Sequence, residues 1–162
     1  MELQIIQNKI YEIRGLRVML DFDLAEMYDV ETRALNQAVK RNIKRFPSDF
    51  MLQLTNLEFE NLISQFVTSS WGGLRKLPFA FTEHGVTMLA SVLRSNKAID
   101  INIQIVRAFI ALRQYSLGYS ELNQKLENFM IETNMQFNDI YQALTEMASQ
   151  KESKKNRKPI GF

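Results

Sequence analysis

The run from Asp23 to Asn42, DLAEMYDVETRALNQAVKRN, constrains the fold more than any other part of the chain. It reads as two short helices, Phe22 to Tyr28 and Thr32 to Arg45, separated by a break at Asp29-Val30. Helices joined by so short a link pack at a steep angle, and they need a small residue where they nearly touch. Ala25 supplies it. Apolar anchors are expected from Leu24 in the first helix, Val30 in the turn, and Leu35 and Val39 in the second. The turn itself requires a left-handed backbone. Glycine adopts that conformation most easily and Asp or Asn next, so Asp29 is compatible with it. Leu35, Ala38 and Val39 recur at helical spacing and turn one face of the second helix inward.

The opposite face carries Thr32, Arg33, Asn36, Gln37, Lys40, Arg41 and Lys44. Asn, Gln and Arg hydrogen-bond base edges, whereas Lys and Arg neutralise phosphate. Thr32, Arg33, Asn36 and Gln37 are therefore the expected base-reading residues, and Lys40, Arg41, Lys44 and Arg45 the phosphate contacts. Thr32 to Arg45 holds five basic residues and no acid, although the whole chain has a net charge of only +2. A helical hairpin with an ordinary solvated basic face would give the same pattern.

The flanking sequence predicts short strands interleaved with helices. Two short strands lie within residues 8–20, turning at Arg14-Gly15, and Asp21 is placed to cap the helix that follows. Phe46-Pro47 stops the second helix, because the residue before proline disfavours helical geometry. A strand from Phe50 to Leu54 leads to a helix capped by Asn56 and running to about Gln65. Thr68 to Pro78 reads as a loop carrying Trp71 beside Gly72-Gly73, with Arg75 and Lys76 just beyond; the Trp either folds back on the core, or the aromatic and the two cations enter a DNA groove or stack on a base. Phe79 to Phe81 is a brief strand, Thr82 caps a helix to Leu93, and Asn96 opens a long helix.

Gly118 is the expected hinge. Beyond it Tyr119, Leu122, Leu126, Phe129, Ile140, Ala143 and Met147 follow the three-four spacing of a coiled-coil seam, interrupted by Thr133 and Gln136. Three segments result: 1–117, a DNA-binding domain; 118–150, a helical oligomerisation segment that pairs two copies; and 151–162, a basic disordered tail. The charge pattern supports the division. Tyr119 to Gln150 has five acids against Lys125 alone, and the tail reverses the sign.

IYEIRGLRVMLDFDLAEMYDVETRALNQAVKRNIKRFPSDFMLQLT, together with LPFAFTEHGVTMLA, resembles the KilA-N/ORF-six-N type of phage and bacterial DNA-binding domain. The resemblance covers roughly residues 8–115. Its most specific parts are the Asp23–Asn42 run, RFPSDF (Arg45 to Phe50) and FTEHGV (Phe81 to Val86). It implies an α+β fold, a small antiparallel sheet with packed helices including the helix-turn-helix, and a role in phage or mobile-element regulation, including antirepressor-like proteins. Double-stranded DNA is the expected partner. The alternative is a protein-interaction module, such as an antirepressor that contacts a repressor and leaves DNA untouched.

Other chemistries find little support. The chain has no Cys and one His, His84, so thiolate or multi-histidine metal sites and cysteine nucleophiles are excluded and no cofactor is expected. Adjacent helix residues point about 100° apart, so Glu83 and His84 do not form one acid–base pair. No phosphate-binding glycine loop or nucleophile elbow is present, and an enzyme is not expected. With neither a signal peptide nor a long apolar run, the reading is a cytoplasmic chain without a membrane partner.

Overall fold

A computed structural model describes residues 2–65 and 76–156. The Trp71 loop and the last residues of the basic tail lie outside the described residues. Contacts divide the chain into two compact units, Met1–Gln114 and Tyr115–Phe162.

The first unit is built on a four-stranded antiparallel sheet in the order β1-β2-β4-β3, from β1 (Tyr11–Ile13), β2 (Leu16–Leu20), β3 (Met51–Gln53) and β4 (Phe79–Thr82). β1 and β2 form the expected hairpin, with Ile13 opposite Leu16. Arg14 and Gly15 both take positive φ, 54° and 72°, the geometry of a two-residue primed turn. β2 and β3 flank β4, pairing Met19 and Met51 with Phe81.

Strand residues alternate between two buried faces, as the two-residue period requires. Val18, Leu20, Leu52 and Ala80 pack with Phe59 and Leu62 of α4 (Asn56–Gln65). Met19 and Phe81 lie in the larger core with Leu24, Ala25 and Met27 of α2 (Asp21–Tyr28) and Leu35 and Val39 of α3 (Thr32–Arg41). The same core includes Val86 and Leu89 of α5 (Glu83–Leu93) and Ala98, Ile101, Ile105 and Ala108 of α6 (Asn96–Lys155). A short helix, α1 (Leu3–Gln7), adds Ile6.

Two polar clusters lock these layers. Tyr28 donates its hydroxyl hydrogen to Asn102 Oδ1, and Asn102 Nδ2 donates to the Val86 carbonyl at 3.0 Å, tying α2, α5 and α6. Thr82 Oγ1 donates to the Asp49 carbonyl and accepts from the Gly85 amide as the predicted cap of α5. Gly85 allows close packing: a Cβ there would stand 2.1 Å from the Phe50 carbonyl oxygen.

Several boundaries differ from the sequence reading. α3 ends at Arg41, and Ile43–Arg45 form a separate 3-10 turn. Asn42 leaves helical geometry there, and its Nδ2 donates to the Ala38 carbonyl. The strand read over Phe50 to Leu54 contracts to β3. The cap of α4 is Thr55, not Asn56: Thr55 and Glu58 exchange backbone-to-side-chain hydrogen bonds, Thr55 N–H to Glu58 Oε2 at 2.8 Å and Glu58 N–H to Thr55 Oγ1 at 3.2 Å. That reciprocal pair is a capping box. Val30, expected as the anchor of the turn, is exposed and lies outside both core clusters. Gly118, read as a break, lies inside α6. α6 reaches Lys155, and the first residues of the basic segment are therefore helical.

The second unit, taken by itself, is the continuation of α6. Leu122, Leu126, Phe129, Ile140, Leu144 and Met147 are all exposed on it. No helix among the described residues is long and apolar enough to cross a membrane.

One ion pair gives the fold a pH signature. Arg14 Nε lies 2.6 Å from Glu58 Oε1, linking the hairpin turn to α4. The Arg14 guanidinium, with the Thr55 amide, holds the Glu58 carboxyl down at about 2. A depressed folded pKa gives a contribution that is complete above the unfolded value of about 4.3 and lost as pH falls through the folded one. The pair is well solvated, so the effect is small. Thermal unfolding should find wild type more stable than Glu58→Gln at pH above about 5, with the gap closing towards about pH 2.

Candidate nucleic-acid interface

α3 has the composition its position demands. Leu35 and Val39 are buried against α2 and α5, while Arg33, Gln37, Lys40 and Arg41 are exposed. Lys40 and Arg41 occupy the last turn, where positive charge complements the helix dipole. The link from α2 is made at Asp29, which takes the left-handed conformation expected of it, φ 58° and ψ 45°. Its carboxylate pairs with Lys97 Nζ at 3.0 Å. Ala25 is 1% exposed, as a close approach of α2 and α3 requires.

The eight residues expected to meet DNA do not share one environment. Among the described residues, Arg33, Lys40, Arg41 and Lys44 form no ion pair, so their charges face solvent. Lys44 and Arg45 lie in the 3-10 turn beyond α3, and Arg45 Nη1 donates to Ser91 Oγ at 3.1 Å. Asn36 is half-buried, and its Nδ2 donates to Asp21 Oδ2 at 2.8 Å. Its Oδ1 is buried without a hydrogen-bond partner. Asn36 thus holds α3 to the start of α2, a role its residue type alone did not reveal.

Asp21 is the centre of that arrangement. Its carboxylate is 4% exposed and accepts from the Phe22 amide at 2.8 Å, from Asn36 and from the Phe79 amide at 3.2 Å. Burial pushes its carboxyl up, and the three hydrogen bonds oppose that shift. From sequence, Asp21 is expected to be the cap preceding α2. Here it is the helix's first residue, and its second oxygen reaches across to β4.

The same geometry encloses a cleft of about 650 Å³ along the outer face of α3. Thr32, Arg33, Asn36, Gln37 and Lys40 line one side, and Gln53, Lys76 and Phe79 the other. Gln53 escapes a sequence reading because it lies in a strand that carries no binding motif, and Lys76 is legible there only as one of two cations in the Trp71 loop. Only their position opposite α3 brings them into the site.

Glu83 and His84 are each engaged in a structural contact. Glu83 pairs with Arg113 of α6, and His84 stacks on Phe50 with ring centroids 5.5 Å apart.

A family model described as the ORF6N domain matches residues 8–92, from just before β1 to near the end of α5. Neither the comparison with curated proteins nor that with solved structures gave a match.

Replacing Asp21 with Ala removes the acceptor for two amide N–H groups and the Asn36 side chain. Leaving buried donors unsatisfied costs about 1–3 kcal/mol each, so Asp21→Ala should lower stability by at least that amount. Denaturant unfolding measures the loss.

Proposed function

The chain belongs to the ORF6N domain family, and from that premise we propose that it binds double-stranded DNA as a regulator of phage or mobile-element type. The observation that carries the reading is the outer face of α3, where Arg33, Lys40 and Arg41 stand exposed and unpaired among the described residues. α2, the left-handed residue at Asp29 and α3 act as a helix-turn-helix, with α3 entering the major groove. Arg33 and Gln37 read base edges, with Thr32 at the start of the helix beside them. Asn36 serves chiefly to hold α3 in place. Lys40, Arg41 and Lys44 grip phosphate. Arg45, engaged with Ser91, joins them at the edge of the surface.

The chemistry is binding, and no catalytic step is proposed. Glu83 is occupied by Arg113. The exposed apolar stripe on the second unit supports pairing with a second copy of the chain through that helix. Two linked reading units would then engage two half-sites. That stripe also supports the antirepressor reading, in which it receives a repressor instead.

Duplex binding measured by fluorescence anisotropy at several salt concentrations tests the first claim. Alanine at Arg33, Asn36, Lys40 and Lys44 together should abolish most of the affinity. Lys40→Ala and Lys44→Ala singly should each reduce the salt slope by about 0.9. Arg33→Ala should cost about 1–3 kcal/mol on a specific site. An unchanged isotherm for the quadruple variant would overturn the assignment.

Sedimentation tests the pairing. Full-length protein at tens of micromolar should be dimeric, and Leu126→Asp with Ile140→Asp should make it monomeric without unfolding the first unit. A wild-type monomer at that concentration removes the homodimer.

A further inference from the structure

We infer that the wall facing α3 across the cleft is a second contact surface for the same DNA, with Lys76 neutralising a phosphate of the strand that borders the groove α3 enters. The inference rests on the DNA-binding reading above and adds to it a binding residue that lies outside the helix pair. Three observations carry it.

The first is charge. Arg33, Lys40 and Lys76 line the cleft, and none forms an ion pair among the described residues. The acid lining it is Asp21, and both of its oxygens are already occupied by N–H donors. The cleft therefore offers an anion three cations without an ion-pair partner among the described residues, and little repulsion.

The second is the length of the cationic wall. Arg33 and Lys40 are seven residues apart on α3, a rise of about 10 Å at about 1.5 Å per residue. A nucleic-acid strand advances about 3.4 Å per nucleotide and so passes about three phosphates over that distance. A lone phosphate or a small carboxylate matches one end of such a wall. A strand matches its full length, with a phosphate at Lys40 and base edges at Arg33.

The third is rigidity. Lys76 is exposed, but the residues after it are fixed: the Pro78 carbonyl accepts from the Leu54 amide at 3.1 Å, and the Phe79 amide donates to Asp21. Gln53 stands beside it on β3, where its carbonyl accepts from Arg14 Nη2 at 3.4 Å. Asp21 bonds to both Asn36 of α3 and Phe79 of this wall, so the cleft's two sides are held to one another by one carboxylate. A preorganised pair of walls loses less freedom on binding than two mobile ones.

Salt-titrated anisotropy on one duplex compares full-length wild type with Lys76→Ala, Lys76→Arg and Lys125→Ala, the last changing the same charge on the second unit. Lys76 is exposed, and matching thermal melts will show that each variant is folded. We expect Lys76→Ala to weaken binding and lower the salt slope by about 0.9, Lys76→Arg to restore both, and Lys125→Ala to change neither. A wild-type slope in Lys76→Ala overturns the second wall and leaves the α3 reading standing. Equal losses in Lys76→Ala and Lys125→Ala also overturn it, because a diffuse field would then account for both. If wild type binds no duplex even at low salt, the DNA-binding reading fails and this inference with it.

Discussion

A carboxylate buried where β2 becomes α2 fixes the relation between sheet and reading helix. Asp21 has no cationic partner among the described residues, and a buried unpaired charge is costly unless hydrogen bonds replace its water. It obtains them from three elements at once: the first turn of α2, the amide of Phe79 at the start of β4, and the Asn36 side chain of α3. Moving any one of the three exposes an unsatisfied donor or acceptor in a dry site. α3 is thereby held to the sheet by a directional interaction, in addition to the non-directional packing of Leu35 and Val39.

The sheet makes that arrangement possible by being covered on both faces. α4 closes one side through Phe59 and Leu62, and α2, α3, α5 and α6 close the other around Met19 and Phe81. The central strands β2 and β4 therefore carry apolar residues in both directions, while α3, packed on one side only, keeps a polar face. The surface available for binding is what remains once the core has taken Leu35, Val39 and Asn36 from this helix.

The helix pair, the hairpin, the left-handed Asp29 and the Thr82 cap are legible in the sequence because each depends on residues close along the chain. Leu35 and Val39 announce their burial by spacing, and Arg14-Gly15 announces its turn by composition. What the sequence hides is set at long range or by competition. Asn36 carries the side chain of a base reader, yet a partner fifteen positions earlier engages it. Thr55 and Asn56 are both competent caps, and the choice between them falls to Glu58, which completes a box with Thr55 alone. Gln53 gains relevance only from chain folding that brings it opposite α3, and Lys76, legible as a loop cation, gains its place facing that helix in the same way. Gly118 has the look of a hinge because glycine weakens helices, but that cost of about 1 kcal/mol is small beside the many turns around it.

Gly85 and Gly118 are both helical glycines, and the chain treats them oppositely. At Gly85 the space for a side chain is already filled by the main chain of Phe50, and at Gly118 nothing beyond the adjoining helical backbone lies within 4 Å of where a Cβ would stand. Descendants of this sequence are therefore unequally free at the two positions. At residue 118 any amino acid that suits a helix meets no obstacle, so drift there records little beyond mutation and chance. At residue 85 a change must be accompanied by a shift in the backbone that supports β3 and β4. An alignment of relatives should show a nearly invariant column at one glycine and a varied column at the other, although composition alone gives no reason to tell them apart.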